Sequence, residues 1–209
     1  MGKHGQYRAL VAAGLLLAGL MAGPAAGQSA GQSAGPSAGG DGWPRVAGEF
    51  HDRGVTRIAG DFDGDGRVEV AEVSAGETVR LVIREGARVE AEAPAIAWLP
   101  GVGEGPWISV NPQGSLVVEV GHFGIGRSKW EMRVTVAHRD GAWRVAGLDL
   151  GGFDALTPGS DMVCEVNLLT GRGTVAAGGA VRKVAGPRPA PPVADWTEDD
   201  PLALCGPLP

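Results

Sequence analysis

Apolar side chains recur at every second position through most of this chain, a period that demands strands with one buried face rather than helices. Trp130, Met132, Val134, Val136 and His138 share one face of such a strand, while Lys129, Glu131, Arg133, Thr135 and Arg139 share the other. Asp140-Gly141 then forms a two-residue hairpin turn, whose central positions both need positive φ. Pairing across it sets His138 opposite Trp143 and Val136 opposite Val145. The apolar faces agree, as a register must. Upstream, Val79, Leu81 and Ile83 alternate with Thr78, Arg80 and Arg84, and Val89, Ala91 and Ala93 alternate with Arg88, Glu90 and Glu92. A three-residue turn at Glu85-Gly86-Ala87 is expected between these two runs, because it sets Ile83 opposite Val89. Ile108 and Val110 lead into the turn Asn111-Pro112-Gln113-Gly114, and Leu116, Val118 and Val120 follow as another strand. Residues 162–169 and 181–184 complete a set of about eight to ten strands. The expected fold is all-β, an antiparallel meander-type sheet over residues 42–186, arranged as a sandwich, partial propeller or barrel.

One segment carries chemistry. Residues 61–69 read Asp61-Phe62-Asp63-Gly64-Asp65-Gly66-Arg67-Val68-Glu69. Three carboxylates at alternate positions, followed by glycine, suit a tight wrap around a hard cation. Calcium favours about 6–8 oxygens at about 2.3–2.6 Å in a flexible shell. Asp61, Asp63 and Asp65 would give side-chain oxygens, Gly66 the sharp turn and Arg67 its backbone carbonyl, with Glu69 closing the shell directly or through water. Val68 is expected to point inward and tie the loop to the core. Magnesium suits the set less well, since it keeps waters and needs fewer carboxylates.

The string DFDGDGRVEVAEV, residues 61–73, fits the EF-hand loop pattern, with Glu72 at the twelfth position. It also resembles the calcium loop of FG-GAP or VCBS repeats, in which GDFDGDG precedes a strand. An EF-hand needs a helix on each side. Gly54, Gly60 and the β-branched Val55, Thr56 and Ile58 argue against an entering helix, and Ser74-Ala75-Gly76 interrupts an exiting one. The strand–loop–strand form, with Glu69 as ligand, is therefore the leading expectation, and an EF-hand using loop 61–72 is the alternative. FG-GAP loops usually carry Asp where this chain has Glu69, and a single copy excludes a propeller built from such repeats. The later pattern Trp130…Arg139-Asp140-Gly141-Ala142-Trp143…Gly147…Asn167-Leu168-Leu169-Thr170-Gly171 is similar to the second half of small secreted bacterial proteins of unknown function that carry one such loop.

The N-terminus explains where such a loop would work. Lys3, His4 and Arg8 precede an apolar run over residues 9–22, and Ala25-Ala26-Gly27 offers a cleavage site. This is the layout of a secretory signal peptide over residues 1–27, and the run falls short of the roughly 20 residues a membrane crossing needs. Residues 28–41 form a flexible Gly/Ser/Ala/Gln linker, and residues 187–209 a Pro-rich acidic tail. Loss of the leader leaves 16 Lys and Arg against 24 Asp and Glu, a net charge of −8. That balance argues against nucleic acid as a partner and favours cations. Cys164 and Cys205 are expected to pair in an oxidising compartment, closing a loop of about 40 residues for roughly 4 kcal/mol in the chain-entropy model.

No Gly-x-Ser-x-Gly elbow and no His-Glu-x-x-His motif is present. His51, His122 and His138 are widely spaced; one of the latter two beside a carboxylate in a concave pocket would point to an envelope hydrolase. Trp130 and Trp143 fit a core, whereas Trp43, Trp98, Trp107 and Trp196 fall near loops or ends, where rings stack on a carbohydrate or protein partner or plug the sheets. The combined expectation is a non-enzymatic calcium-binding β domain, secreted or periplasmic, with no membrane span in the mature chain and with a structural or binding role.

Overall fold

The computed structural model describes residues 48–52, 55–101 and 104–209; the leader, the linker and Trp43 lie outside them. Twelve strands form among these residues, and each pairs antiparallel with a sequence neighbour. The first sheet runs in chain order from β1 (Gly48–Asp52) through β2 (Val55–Gly60), β3 (Glu69–Ala75) and β4 (Val79–Glu85) to β5 (Arg88–Ala97). The second begins with β6 (Trp107–Val110), β7 (Leu116–His122), β8 (Ser128–Arg139) and β9 (Ala142–Asp154). It continues through β10 (Met162–Asn167), β11 (Arg172–Ala177) and β12 (Ala180–Val184). Neither sheet closes on itself, so of the three expected arrangements the chain adopts the sandwich.

Alternation places the core. Val79, Leu81 and Ile83 of β4 meet Met132, Val134 and Val136 of β8 and Leu148 and Leu150 of β9 in one buried cluster. Asp140 and Gly141 have φ of 53° and 73°, and His138 pairs with Trp143 across their turn, as the sequence predicts. Asn111 closes the next expected turn: its carbonyl accepts from Gly114 N, and its side-chain oxygen accepts from Gln113 N and Ser115 N.

The turn after β4 departs from expectation. It has two residues, Gly86 and Ala87, because Glu85 pairs with Arg88. A β-bulge at Glu90 then restores the apolar register by setting Ile83 opposite Ala91 rather than Val89, and Val89 is exposed. The extra residue is used: the Glu90 carboxylate accepts from Trp143 Nε1 at 3.2 Å, linking the first sheet to the second. A comparable shift between Thr135 and Val136 places Ala146 as the extra residue of β9.

The acidic tail is also more than a tail. After β12 the chain returns to the sandwich, where Ala190, Val193, Trp196 and Cys205 join the core. Trp196 is 2 % exposed, and its Nε1 donates to the Ile96 carbonyl of β5 at 3.2 Å. The 3-10 turn Val193–Asp195 precedes it, and the short helix α1 (Asp200–Cys205) follows. Cys205 is disulfide-bonded to Cys164 of β10, with Cα atoms 5.7 Å apart. Trp196→Ala should therefore cost about 3–5 kcal/mol in equilibrium denaturation. Ile125→Ser, at a site 97 % exposed, should change stability by about 0.5 kcal/mol or less in the same experiment.

Candidate metal centre

The acidic segment connects β2 to β3, which pair from Val55 opposite Ser74 to Gly60 opposite Glu69. Its conformation follows from its own side chains. Gly64 and Gly66 have φ of 85° and 88°, a region in which a side chain is strained. Their amides donate to the two oxygens of Asp61, Gly64 N to Oδ1 at 2.8 Å and Gly66 N to Oδ2 at 3.1 Å. Asp65 N donates to Asp63 Oδ1 at 3.0 Å and Arg67 N to Asp65 Oδ1 at 2.8 Å, two Asx turns in succession. Asp63 thus holds the amide of Asp65, and Asp61 holds the glycines on either side of it.

The carboxylates converge. Asp61, Asp63, Asp65 and Glu69 each offer an oxygen, and these atoms lie within 4.8 Å of one another. Glu69 is 1 % exposed, and its Oε2 accepts from Phe62 N at 2.7 Å. Burial pushes its pKa above the ordinary value; the Phe62 amide opposes this, and the charges of Asp63 and Asp61 add to it. The donor set is all oxygen and strongly anionic, which suits a hard metal ion. Arg67 offers partial compensation from the rim, its Nε 3.1 Å from Asp65 Oδ2 and its Nη1 2.6 Å from Glu85 Oε1. Hydrogen bonds from Arg88 and then Arg67 hold Glu85 below the ordinary carboxylate range.

Two expectations about the loop need correction. Val68 does not point inward: it is 56 % exposed. The anchors are Phe62 and Glu69, since the pairing of Glu69 with Gly60 puts it on the buried face shared by Ala71 and Val73. The EF-hand alternative loses its helices, because strands flank the loop. Its twelfth residue, Glu72, lies on the opposite face of β3 and accepts a hydrogen bond from Arg57 Nε.

The other singled-out residues fall elsewhere. His138 lines a cavity of about 420 Å³ beside the loop, together with Asp63, Arg88, Glu90 and Trp143. His138 thus shares a concave cavity with the carboxylates of Asp63 and Glu90, and Arg88 and Trp143 donate hydrogen bonds to Glu90. His122 Nε2 lies 2.9 Å from the Ile125 carbonyl. Of the tryptophans, Trp143 is buried, Trp130 is half-buried against Trp98, and Trp107 is exposed, whereas Trp196 plugs the core. No helix among the described residues is long and apolar enough to cross a membrane.

The raised pKa of Glu69 predicts a stability that depends on pH when no metal is present. A carboxyl with a raised folded pKa adds stability below its unfolded value of about 4.5, and that contribution is lost as pH rises through the folded value. In EDTA, Glu69→Gln should therefore gain on the parent as pH rises from 4 to 8, approximately, and the two should converge toward pH 4. Urea midpoints across that range check it; a constant difference would mean that Glu69 does not titrate abnormally.

No family model matches the chain, and neither a curated protein nor a solved structure matches it.

Proposed function

We propose that residues 61–69 bind one calcium ion and that the protein is an exported, non-enzymatic β domain with a structural or binding role, its first sheet completed by that ion. The observation that carries this reading is the convergence of four carboxylates within 4.8 Å, one of them buried. Asp61, Asp63, Asp65 and Glu69 would supply carboxylate oxygens and Arg67 its backbone carbonyl. Calcium accepts such a set because its shell is large and irregular, whereas magnesium demands near-octahedral geometry and dehydrates reluctantly. The strand on each side of the loop supports the FG-GAP-like form, with Glu69 standing where that form carries Asp. Export is supported by the Cys164–Cys205 disulfide, a bond that persists in oxidising compartments, together with the leader-like N-terminus.

Thermal melts of residues 28–209 in EDTA, calcium and magnesium test the reading, with Asp63→Ala as the variant. Asp63 is the better probe, because its carboxylate accepts from the Asp65 amide alone among the hydrogen bonds of the loop, whereas Asp61 holds two. Calcium at 100 times its dissociation constant should add about 2.7 kcal/mol. Magnesium should add little, and the variant should ignore calcium. Identical melts of the parent in EDTA and calcium would leave an acidic turn and remove the proposal.

A further inference from the structure

The cavity of about 420 Å³ beside the acidic loop has walls from four stretches of chain that lie far apart in sequence. Local rules place each of them. The tight turn at Asp140-Gly141 joins β8 to β9 and sets His138 opposite Trp143, with ring centroids 5.3 Å apart. The bulge in β5 adds Glu90, which has no partner on β4, and bulges recur where a side chain is re-aimed at a site. Val145 N donates to Pro191 O at 2.9 Å, which holds residues 192–194 against the hairpin. Asp63 of the loop completes the lining.

The titratable groups that line it are Asp63, Arg88, Glu90 and His138. Glu90 is largely covered, its side chain 11 % exposed. Arg88 pairs with Glu90 and with Glu85, and Glu85 pairs in turn with Arg67, so two arginines face two glutamates. Asp63 is the exception; the ion proposed for the loop would take up its charge, and to that extent the inference rests on that reading. What the cavity offers is therefore hydrogen bonding rather than net charge. One oxygen of Glu90 accepts from Arg88 and the other from Trp143 Nε1, which leaves about two of its four acceptor positions. His138 is half-buried, and neither of its ring nitrogens takes part in a hydrogen bond among the described residues. Val89, Ala91, Trp143, Pro192 and Val193 form an apolar wall beside these groups.

We propose that this cavity binds a neutral sugar of one or two rings, its hydroxyls bonded to Glu90, Arg88 and His138 and its C–H groups set against the apolar wall. Matched charges select the class. An ionic ligand would lose its hydration without gaining an uncompensated partner. A wholly apolar ligand would leave His138 and the spare acceptor positions of Glu90 desolvated and unpaired. A hydroxyl both donates and accepts, so a polyol satisfies a carboxylate, a guanidinium and an imidazole at once. Hydrogen bonds to the charged Glu90 and Arg88 supply the stronger part of the recognition. Size selects the length, since the volume lies near the lower end of the roughly 300–1,000 Å³ usual for ligand cavities.

Backbone amide NMR titrations of residues 28–209 in calcium test it, with glucose, galactose, mannose and N-acetylglucosamine each added to about 50 mM. At least one should give saturable shifts centred on Glu90, His138 and Trp143. The 2-amino sugar and the uronic acid of the same configuration should bind about tenfold more weakly or worse. His138→Ala and Glu90→Gln should each weaken the neutral sugar by about tenfold. The same spectra report whether each variant keeps the fold, and His138→Ala together with the charged sugars decides the matter if Glu90→Gln unfolds. Shifts centred elsewhere, no saturable shift with any of the four sugars, tighter binding of a charged relative or full affinity in both variants would overturn the proposal. Calcium stabilisation in the thermal melts without a sugar shift would remove this inference and leave the ion in place. Sugar shifts without calcium stabilisation would do the reverse.

Discussion

Two sheets with one apolar face each have only one another to cover it, and the shared core that results fixes the position of everything else. Backbone pairing keeps each meander in register, while side chains from β4, β8 and β9 fill the space between. Because neither sheet closes, the sandwich has open flanks where the core would meet water. The bulge in β5 and the C-terminal segment serve that problem. The Glu90 bulge carries a carboxylate across to Trp143, and the tail supplies Val193 and Trp196 against β5. Burial of Trp196 with its Nε1 bonded to Ile96 satisfies a polar atom that would otherwise oppose it.

Within that frame the acidic loop is a hairpin connection with two tasks. Its aspartates accept hydrogen bonds from amides of the same loop, so the backbone is shaped by the groups that would bind an ion. Asp61 is the organiser of the turn, and Glu69 is the tie to the core. A cation at this point would offset the mutual repulsion among carboxylates whose directions are already set by the amides of the loop. Arg67 and Glu85 continue the charge pattern onto the rim, where Arg88 extends it to β5.

Period-two alternation made most strands legible, since a buried face leaves a direct trace in the order of residues. The Asp140-Gly141 turn was legible for the same local reason. What alternation could not show was the bulge at Glu90, because one inserted residue reverses the arithmetic of a turn. Nor could it show the tail. Trp196 sits among prolines and acids, and its partner Ile96 lies 100 residues away in the chain. The four metal-competent carboxylates were all readable from residues 61–69, yet Val68, expected to point inward, is exposed, and the burial of Glu69 was not foreseen. Extending the alternation of Ala71 and Val73 back by one step would have placed Glu69 inside.

The arrangement of the tail has a bearing on how the chain matures. Meander neighbours can zip together soon after they leave the ribosome or a translocation pore, because each pairing is local in sequence and closes only a short loop. Residues 190–205 come after all twelve strands, and the sulfur partner of Cys164 arrives 41 positions later. Until then the flank beside β5 lacks its tryptophan, and a paired but unsealed intermediate shows apolar surface to its surroundings. Such an intermediate is the species most exposed to aggregation and to chaperone capture.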